Sequence, residues 1–187
     1  MRWFLGKPDA DTPSSITPLP PVEAPLSEVT THEFEPGTTY ARILYDPARA
    51  RHMYQAIEPP LSEKETKALA FVKEVLVRTL DADLEMVARS ASPESLKYLD
   101  ERVRKVVREY HLRLDATQLQ RVSYYLRRDF VGYGPIDLMM HDPDIEDISC
   151  DGAKAPIFLY HRKHGSLETN VRFPGPDQLD GFVIRMA

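Results

Sequence analysis

The side chains suited to chemistry are few and spread along the chain. His161 and His164 stand three residues apart, as two imidazoles sharing a metal ion can, and Cys150 lies nearby in sequence. A closed zinc site is ordinarily four-coordinate. Nothing further completes one, so a solvated basic turn is the simpler reading and no metal ligand is assigned. Asp142, Asp144, Glu146, Asp147 and Asp151 form an acidic run. They lack the ligand spacing of a calcium-binding loop and suit turns and caps instead. Arg121, Arg127 and Arg128, with Asp129, gather near the end of a helical stretch. Cations there complement the helix dipole; the alternative is a set of arginines facing another domain or a phosphate. The eight glycines stand at 6, 37, 132, 134, 152, 165, 175 and 181. None opens a G-x-x-x-x-G-K-[ST] sequence, whose amides and lysine grip nucleotide phosphates. The chain itself is therefore expected to hydrolyse no nucleotide, and it offers no catalytic or cofactor-binding residue.

The elements that position these residues follow from periodicity. Tyr40 to Tyr45 and Arg51 to Ile57 are rich in strand-forming types and flank Asp46-Pro47-Ala48-Arg49, which predicts a β-hairpin. After Glu58-Pro59-Pro60-Leu61, Ser62 and Glu65 form a capping box. Leu69, Val72, Leu76 and Leu80 then recur at helical spacing, predicting a helix from Ser62 to Thr79. Residues 81–90 either prolong it or form a short helix of their own. Ser92-Pro93 opens a second helix with the stripe Leu96, Leu99, Val103, Val106, Val107 and Tyr110. Asp115 with Gln118 starts a third, carrying Leu119, Val122, Tyr125 and Leu126. Three amphipathic helices on short connections predict a small bundle whose stripes form the core.

The last third changes character. Gly132-Tyr133-Gly134-Pro135 ends the third helix, and Ile136 to Met140 is a short amphipathic piece. Ile145 to Cys150, Pro156 to Tyr160 and Ser166 to Phe173 predict an antiparallel meander. A final helix begins near Asp177 and reaches Ala187 in mid-pattern, without cap or glycine terminator. That reads as an interrupted chain in which part of the sheet's covering is missing.

Seven of the sixteen prolines fall between residues 7 and 37, among Ser, Thr, Glu and Asp. That composition predicts a disordered or extended tether over 1–39, the alternative being an ordered arm lying on a neighbouring surface. The fold class expected is α+β: hairpin and three-helix bundle over 40–131, then a small antiparallel-sheet subdomain over 132–187. The net charge of −5 gives no general attraction to phosphate backbones, so no nucleic-acid partner is expected. One cysteine among 187 residues and the lack of a signal peptide favour the cytoplasm. No stretch approaches the ~18 apolar residues that a spanning helix needs.

The run Arg127-Arg-Asp-Phe-Val-Gly-Tyr-Gly-Pro-Ile-Asp137, continued by Asp142-Pro-Asp-Ile-Glu-Asp-Ile-Ser-Cys-Asp-Gly152, resembles the N-terminal region of archaeal type II/type IV secretion system ATPases. That group includes type II secretion protein E homologues and the archaellum and pilus motors. Ile57 to Leu61, His161 to Gly165, Thr169-Asn170 and Phe182 to Arg185 are similar to further stretches of the family. The resemblance covers the chain from about Tyr40 onward and leaves the proline-rich part unmatched. It implies a helical bundle followed by an α+β subdomain, ahead of a RecA-like ATPase domain that binds ATP and Mg²⁺. It also implies a homo-hexameric ring, peripheral at the inner face of the membrane, on a polytopic platform protein. Arg127, Arg128, Asp129, Gly132, Gly134, Asp147, Asp151, Gly152 and Arg185 match family motif positions, with structural or inter-domain roles. The function expected is the non-catalytic regulatory and assembly region of such a motor. The alternatives are a docking module for a platform protein or lipid surface, and a free-standing adaptor.

Overall fold

The computed structural model describes residues 15–79 and 92–186. The expectation for residues 81–90, and that for residues 1–14 of the tether, fall outside these. Strands β1 (Ser27–Glu35), β2 (Thr39–Asp46) and β3 (Arg51–Ile57) come first, then helices α1 (Glu63–Arg78), α2 (Pro93–Glu109) and α3 (Ala116–Phe130). A 3-10 turn (Gly134–Ile136) and the single-turn α4 (Asp137–Met140) lead into β4 (Ile145–Cys150), β5 (Pro156–His161), β6 (Gly165–Arg172) and α5 (Pro176–Met186). The fold is α+β.

The helices begin where their caps dictate. Ser62 accepts from the Glu65 amide while Glu65 reaches back to the Ser62 amide at 2.7 Å. Ser92 caps α2 ahead of Pro93, and Asp115 and Gln118 close a second capping box on α3. The apolar stripes meet in a bundle core of Leu69, Val72, Leu76, Leu99, Val103, Val106, Val122 and Leu126. The three helical spans and their core role match the periodicity.

The strands form one six-stranded sheet in the order β1-β2-β3-β6-β5-β4. The predicted hairpin and meander are both present, antiparallel throughout. The sheet overturns the grouping of the hairpin with the bundle. β3 pairs in parallel with β6, Met53 opposite Glu168 and Tyr54 opposite Thr169, so the hairpin belongs to the same sheet as residues 145–172. Parallel partners need a long crossover, here the whole bundle, which local periodicity does not reveal. The Asn170 side chain clamps this seam, accepting from the Ala56 amide at 2.8 Å and donating to the Ala56 carbonyl at 2.9 Å. A second core, including Ile43, Tyr54, Met139, Ile157, Leu159, Leu167 and Phe173, lies on the sheet.

The tether expectation is likewise corrected over residues 15–39. β1 adds to β2 from Ser27 opposite Tyr45 to Glu35 opposite Thr39. Ile16 and Thr17 are buried, and their amides donate to the Gly37 carbonyl at 2.8 and 3.2 Å. The buried Arg42 guanidinium donates to the Pro20 carbonyl at 2.8 Å and pairs with Glu28 at 3.1 Å. A proline-rich segment orders when its carbonyls meet fixed donors, because proline removes donors but no acceptors. Of the two readings of this segment, residues 15–39 follow the ordered arm.

Candidate functional site: a charged junction between two cores

The bundle core and the sheet core meet at a polar junction built from the end of β3, α3 and the turn after it. Glu58 follows β3 directly. It accepts from Tyr124 Oη at 2.8 Å and from Arg128 Nη1 at 2.6 Å. Arg128 also donates to Asp129 at 2.8 Å and lies over the Tyr125 ring, 4.6 Å from its centroid. Asp129 in turn pairs with Lys73 of α1. Tyr125 Oη donates to the Pro59 carbonyl at 2.7 Å. The preceding residue on α3, Arg127, makes a two-pronged pair with Asp100 of α2, at 2.9 and 2.8 Å. Arg121 reaches the Glu65 carboxylate at 3.4 Å and the Ile16 carbonyl at 3.2 Å, tying the N-terminal arm to the bundle.

The electrostatics follow from low exposure. The Arg128, Glu58 and Asp129 side chains are 13%, 20% and 19% exposed. Burial alone pulls a guanidinium pKa down, but the Glu58 and Asp129 carboxylates outweigh it and hold Arg128 above its ordinary value. The Tyr124 phenol is pushed up by burial and by Glu58, so it stays a donor. Glu65 is buried too; hydrogen bonds from Ser62 and the nearby Arg121 overcome the burial penalty and keep its carboxyl below the usual range. Glu35 goes the other way: burial raises it, Arg127 lowers it in part, and Asp137 raises it again. This arrangement can transmit position, because charge-assisted bonds of fixed geometry leave the bundle little freedom to rotate on the sheet.

The turn that follows explains two glycines. A Cβ on Gly132 would collide with Asp137 Oδ1 and lie 3.0 Å from the Arg128 carbonyl oxygen. Asp137 needs that space because it accepts from the Tyr133 amide at 2.7 Å. Gly134 has φ of +56°, which side chains other than hydrogen rarely adopt.

The motif residues thus divide. Arg127, Arg128, Asp129, Gly132 and Gly134 converge on the junction. Asp147 lies on the edge strand β4, and Asp151 and Gly152 follow in the β4–β5 turn. Arg185 falls in the last turn of α5. Asp147 lines an open concavity of about 910 Å³ between α5 and β4, floored by residues such as Ile145, Ile148, Leu179 and Phe182. In the acidic run, Asp142 accepts from the Tyr54 hydroxyl at 3.1 Å and from the Asp144 amide at 2.9 Å. Asp144 pairs with Lys163 at 2.8 Å and Glu146 with Arg162 at 3.1 Å. These are turn and pairing roles.

The His161 and His164 rings lie 4.9 Å apart between centroids, tilted by 50°, and the third ring beside them is His52 of β3, 5.0 Å from His164. Cys150 is exposed. Sequence reasoning missed His52, Glu58, Lys73 and Asp100. Each is remote in sequence from its partners, and only Glu58, directly after the hairpin, stood near a recognisable signal. Among the described residues no group of three or more His, Cys, Asp or Glu is arranged to hold a metal ion. Nor is any helix there long and apolar enough to cross a membrane.

No protein-family profile matches the chain. An uncharacterized protein of Methanocaldococcus jannaschii is 33% identical over 143 residues, which cover 76% of this chain and 56% of that protein. The chain thus spans little more than half the length of the curated relative it resembles.

Proposed function

We propose that the chain is the N-terminal regulatory and assembly region of a hexameric secretion or pilus-assembly ATPase, non-catalytic by itself. The observation that carries this reading is the convergence of Arg127, Arg128, Asp129, Gly132 and Gly134 on one junction. The stretch with the family resemblance is the stretch that locks the bundle to the sheet. Such a lock lets both parts move as one body when a RecA-like domain, loaded with ATP and Mg²⁺, changes state. The location that goes with this role is cytoplasmic and peripheral, on a polytopic membrane platform.

The test is the oligomeric state of the natural gene's whole product, measured by light scattering with and without a non-hydrolysable ATP analogue. A nucleotide-favoured hexamer is expected; a monomer under all conditions would overturn the reading. A second reading is a docking module with no fused motor. It is favoured by the length of the Methanocaldococcus relative, which leaves roughly 110 residues outside the match, room for one small domain.

A further inference from the structure

The parallel seam between β3 and β6 is closed differently at its two ends. At the far end the Asn170 side chain holds both backbone groups of Ala56. At the near end, where β3 begins, Arg51 pairs with Glu168 at 2.9 Å. The next residue, His52, meets the turn between β5 and β6. Its ring lies 5.0 Å from that of His164, which lies 4.9 Å from that of His161, between centroids. Tyr45, opposite His52 on β2, lies 5.2 Å from it. The three imidazoles thus bridge the β2–β3 hairpin to the β5–β6 turn. His161 is buried, and His52 and His164 are half-buried.

The surroundings offer these rings little to balance a proton. His161 Nδ1 accepts from the Lys163 amide at 3.2 Å, a bond that an imidazolium cannot make. The carboxylate nearest the turn is Asp144, and Lys163 already holds it at 2.8 Å. Glu168 of β6 is taken by Arg51, and Glu146 of β4 by Arg162 at 3.1 Å. On β2, Asp46 accepts from the Ala48 amide and pairs with Arg49. Among the described residues no carboxylate forms an ion pair with any of the three imidazoles. Burial, then His161, His52 and Lys163, lower the His164 pKa, with Asp144 opposing. Its neutral form is therefore favoured while the rings stay together, and it takes up a proton more readily once they part.

We propose that His52, His161 and His164 form an acid-sensitive latch at the start of the seam. Neutral rings pack against one another and hold the β5–β6 turn to the hairpin. When acid protonates more than one of them, imidazolium charges about 5 Å apart repel. The turn over residues 161–165 then parts from the start of β3. At this spacing and partial exposure, that repulsion shifts a local opening equilibrium on the order of 10-fold. The Asn170 clamp holds no titratable group, so the far end stays closed and the opening is local. The latch goes beyond the motor reading and requires nothing of a nucleotide-binding domain.

The experiment is amide hydrogen exchange, read by mass spectrometry on the 187-residue chain. It compares about pH 7.5 with about pH 5, values either side of the histidine range, with rates corrected for intrinsic exchange. On acidification, peptides covering residues 50–54 and 161–168 should lose protection on the order of 10-fold more than peptides of α1 and α3. His52→Gln with His164→Gln should abolish that difference, and His32→Gln, exposed on β1, should retain it. An equal loss throughout the chain, no loss at the seam, or an undiminished loss in the double variant would each overturn the proposal. Imidazole proton resonances of the parent chain give a readout that needs no variant. The three rings should titrate as a coupled set with a step below 6.5. Three independent titrations at the ordinary value would overturn the latch as well.

Discussion

Removing Arg128 tests whether the junction couples the two cores. Arg128→Met keeps much of the stem over Tyr125 and deletes the charge. Glu58 then retains only the Tyr124 hydroxyl, and Asp129 retains Lys73. Breaking a buried pair by removing one partner costs about 3–5 kcal/mol. Exposures of 13–20% place this site at the lower end, at about 3 kcal/mol. With a urea m-value of about 2 kcal/mol/M, the unfolding midpoint should fall by about 1.5 M. Glu58→Gln supplies the second arm of a double-mutant cycle, and the double variant should recover about 1–2 kcal/mol of the summed losses. Far-UV circular dichroism in urea reads all four proteins. The exposed pair Arg162–Glu146, at 60% and 47% exposure, is the control, with an expected cycle energy below about 1 kcal/mol. A loss under about 1 kcal/mol for Arg128→Met, or strict additivity with Glu58→Gln, would refute the coupling.

Three further outcomes follow from the same structure. Gly132→Ala must displace Asp137 from the Tyr133 amide, so a thermal melt should show a loss of about 1–3 kcal/mol. Asp137→Ala in the same chain should make that second change cheap, and an undiminished cost would refute the collision. Glu35→Gln removes a carboxylate whose pKa is raised by burial. The variant should be more stable than the parent at pH 7, with the gain vanishing as pH falls through 4.5, where the unfolded chain also protonates. A variant less stable at pH 7 contradicts this. His164 is lowered by burial and by His161, His52 and Lys163, with Asp144 opposing, so its neutral form is favoured in the fold. The unfolded chain therefore takes up the proton first, and stability should decline as pH drops below 6.5. His164→Gln should flatten that decline; an unchanged slope assigns it elsewhere.

Much of the helical part was legible because its signals are local. Ser62 with Glu65, Ser92 with Pro93 and Asp115 with Gln118 each mark a helix start within a few residues, and each cap is formed. The turn at 46–49 likewise sets the hairpin, Asp46 accepting from the Ala48 amide at 2.9 Å. The sheet's assembly was not legible. The ladder between β3 and β6 pairs Met53 with Glu168 and Tyr54 with Thr169, residues more than a hundred apart in sequence. β1 escaped notice because it is an edge strand: Ser27 to Glu35 buries few apolar groups and takes its order from β2's backbone. At the junction, Arg127 and Arg128 were visible as helix-end cations. Their partners Asp100 and Glu58 lie 27 and 70 residues away, and distance in space between such groups has no local signature. The histidine pair was visible as well, but its third ring comes from β3 across the seam.

The central claim is that this region serves a nucleotide-driven motor, and ATP turnover by the natural gene's whole product addresses it most directly. Magnesium-dependent hydrolysis, abolished by changing the lysine of a phosphate loop encoded beyond these residues, is the predicted result. A whole product that carries no such loop and releases no phosphate, alone or with its membrane partners, would contradict it.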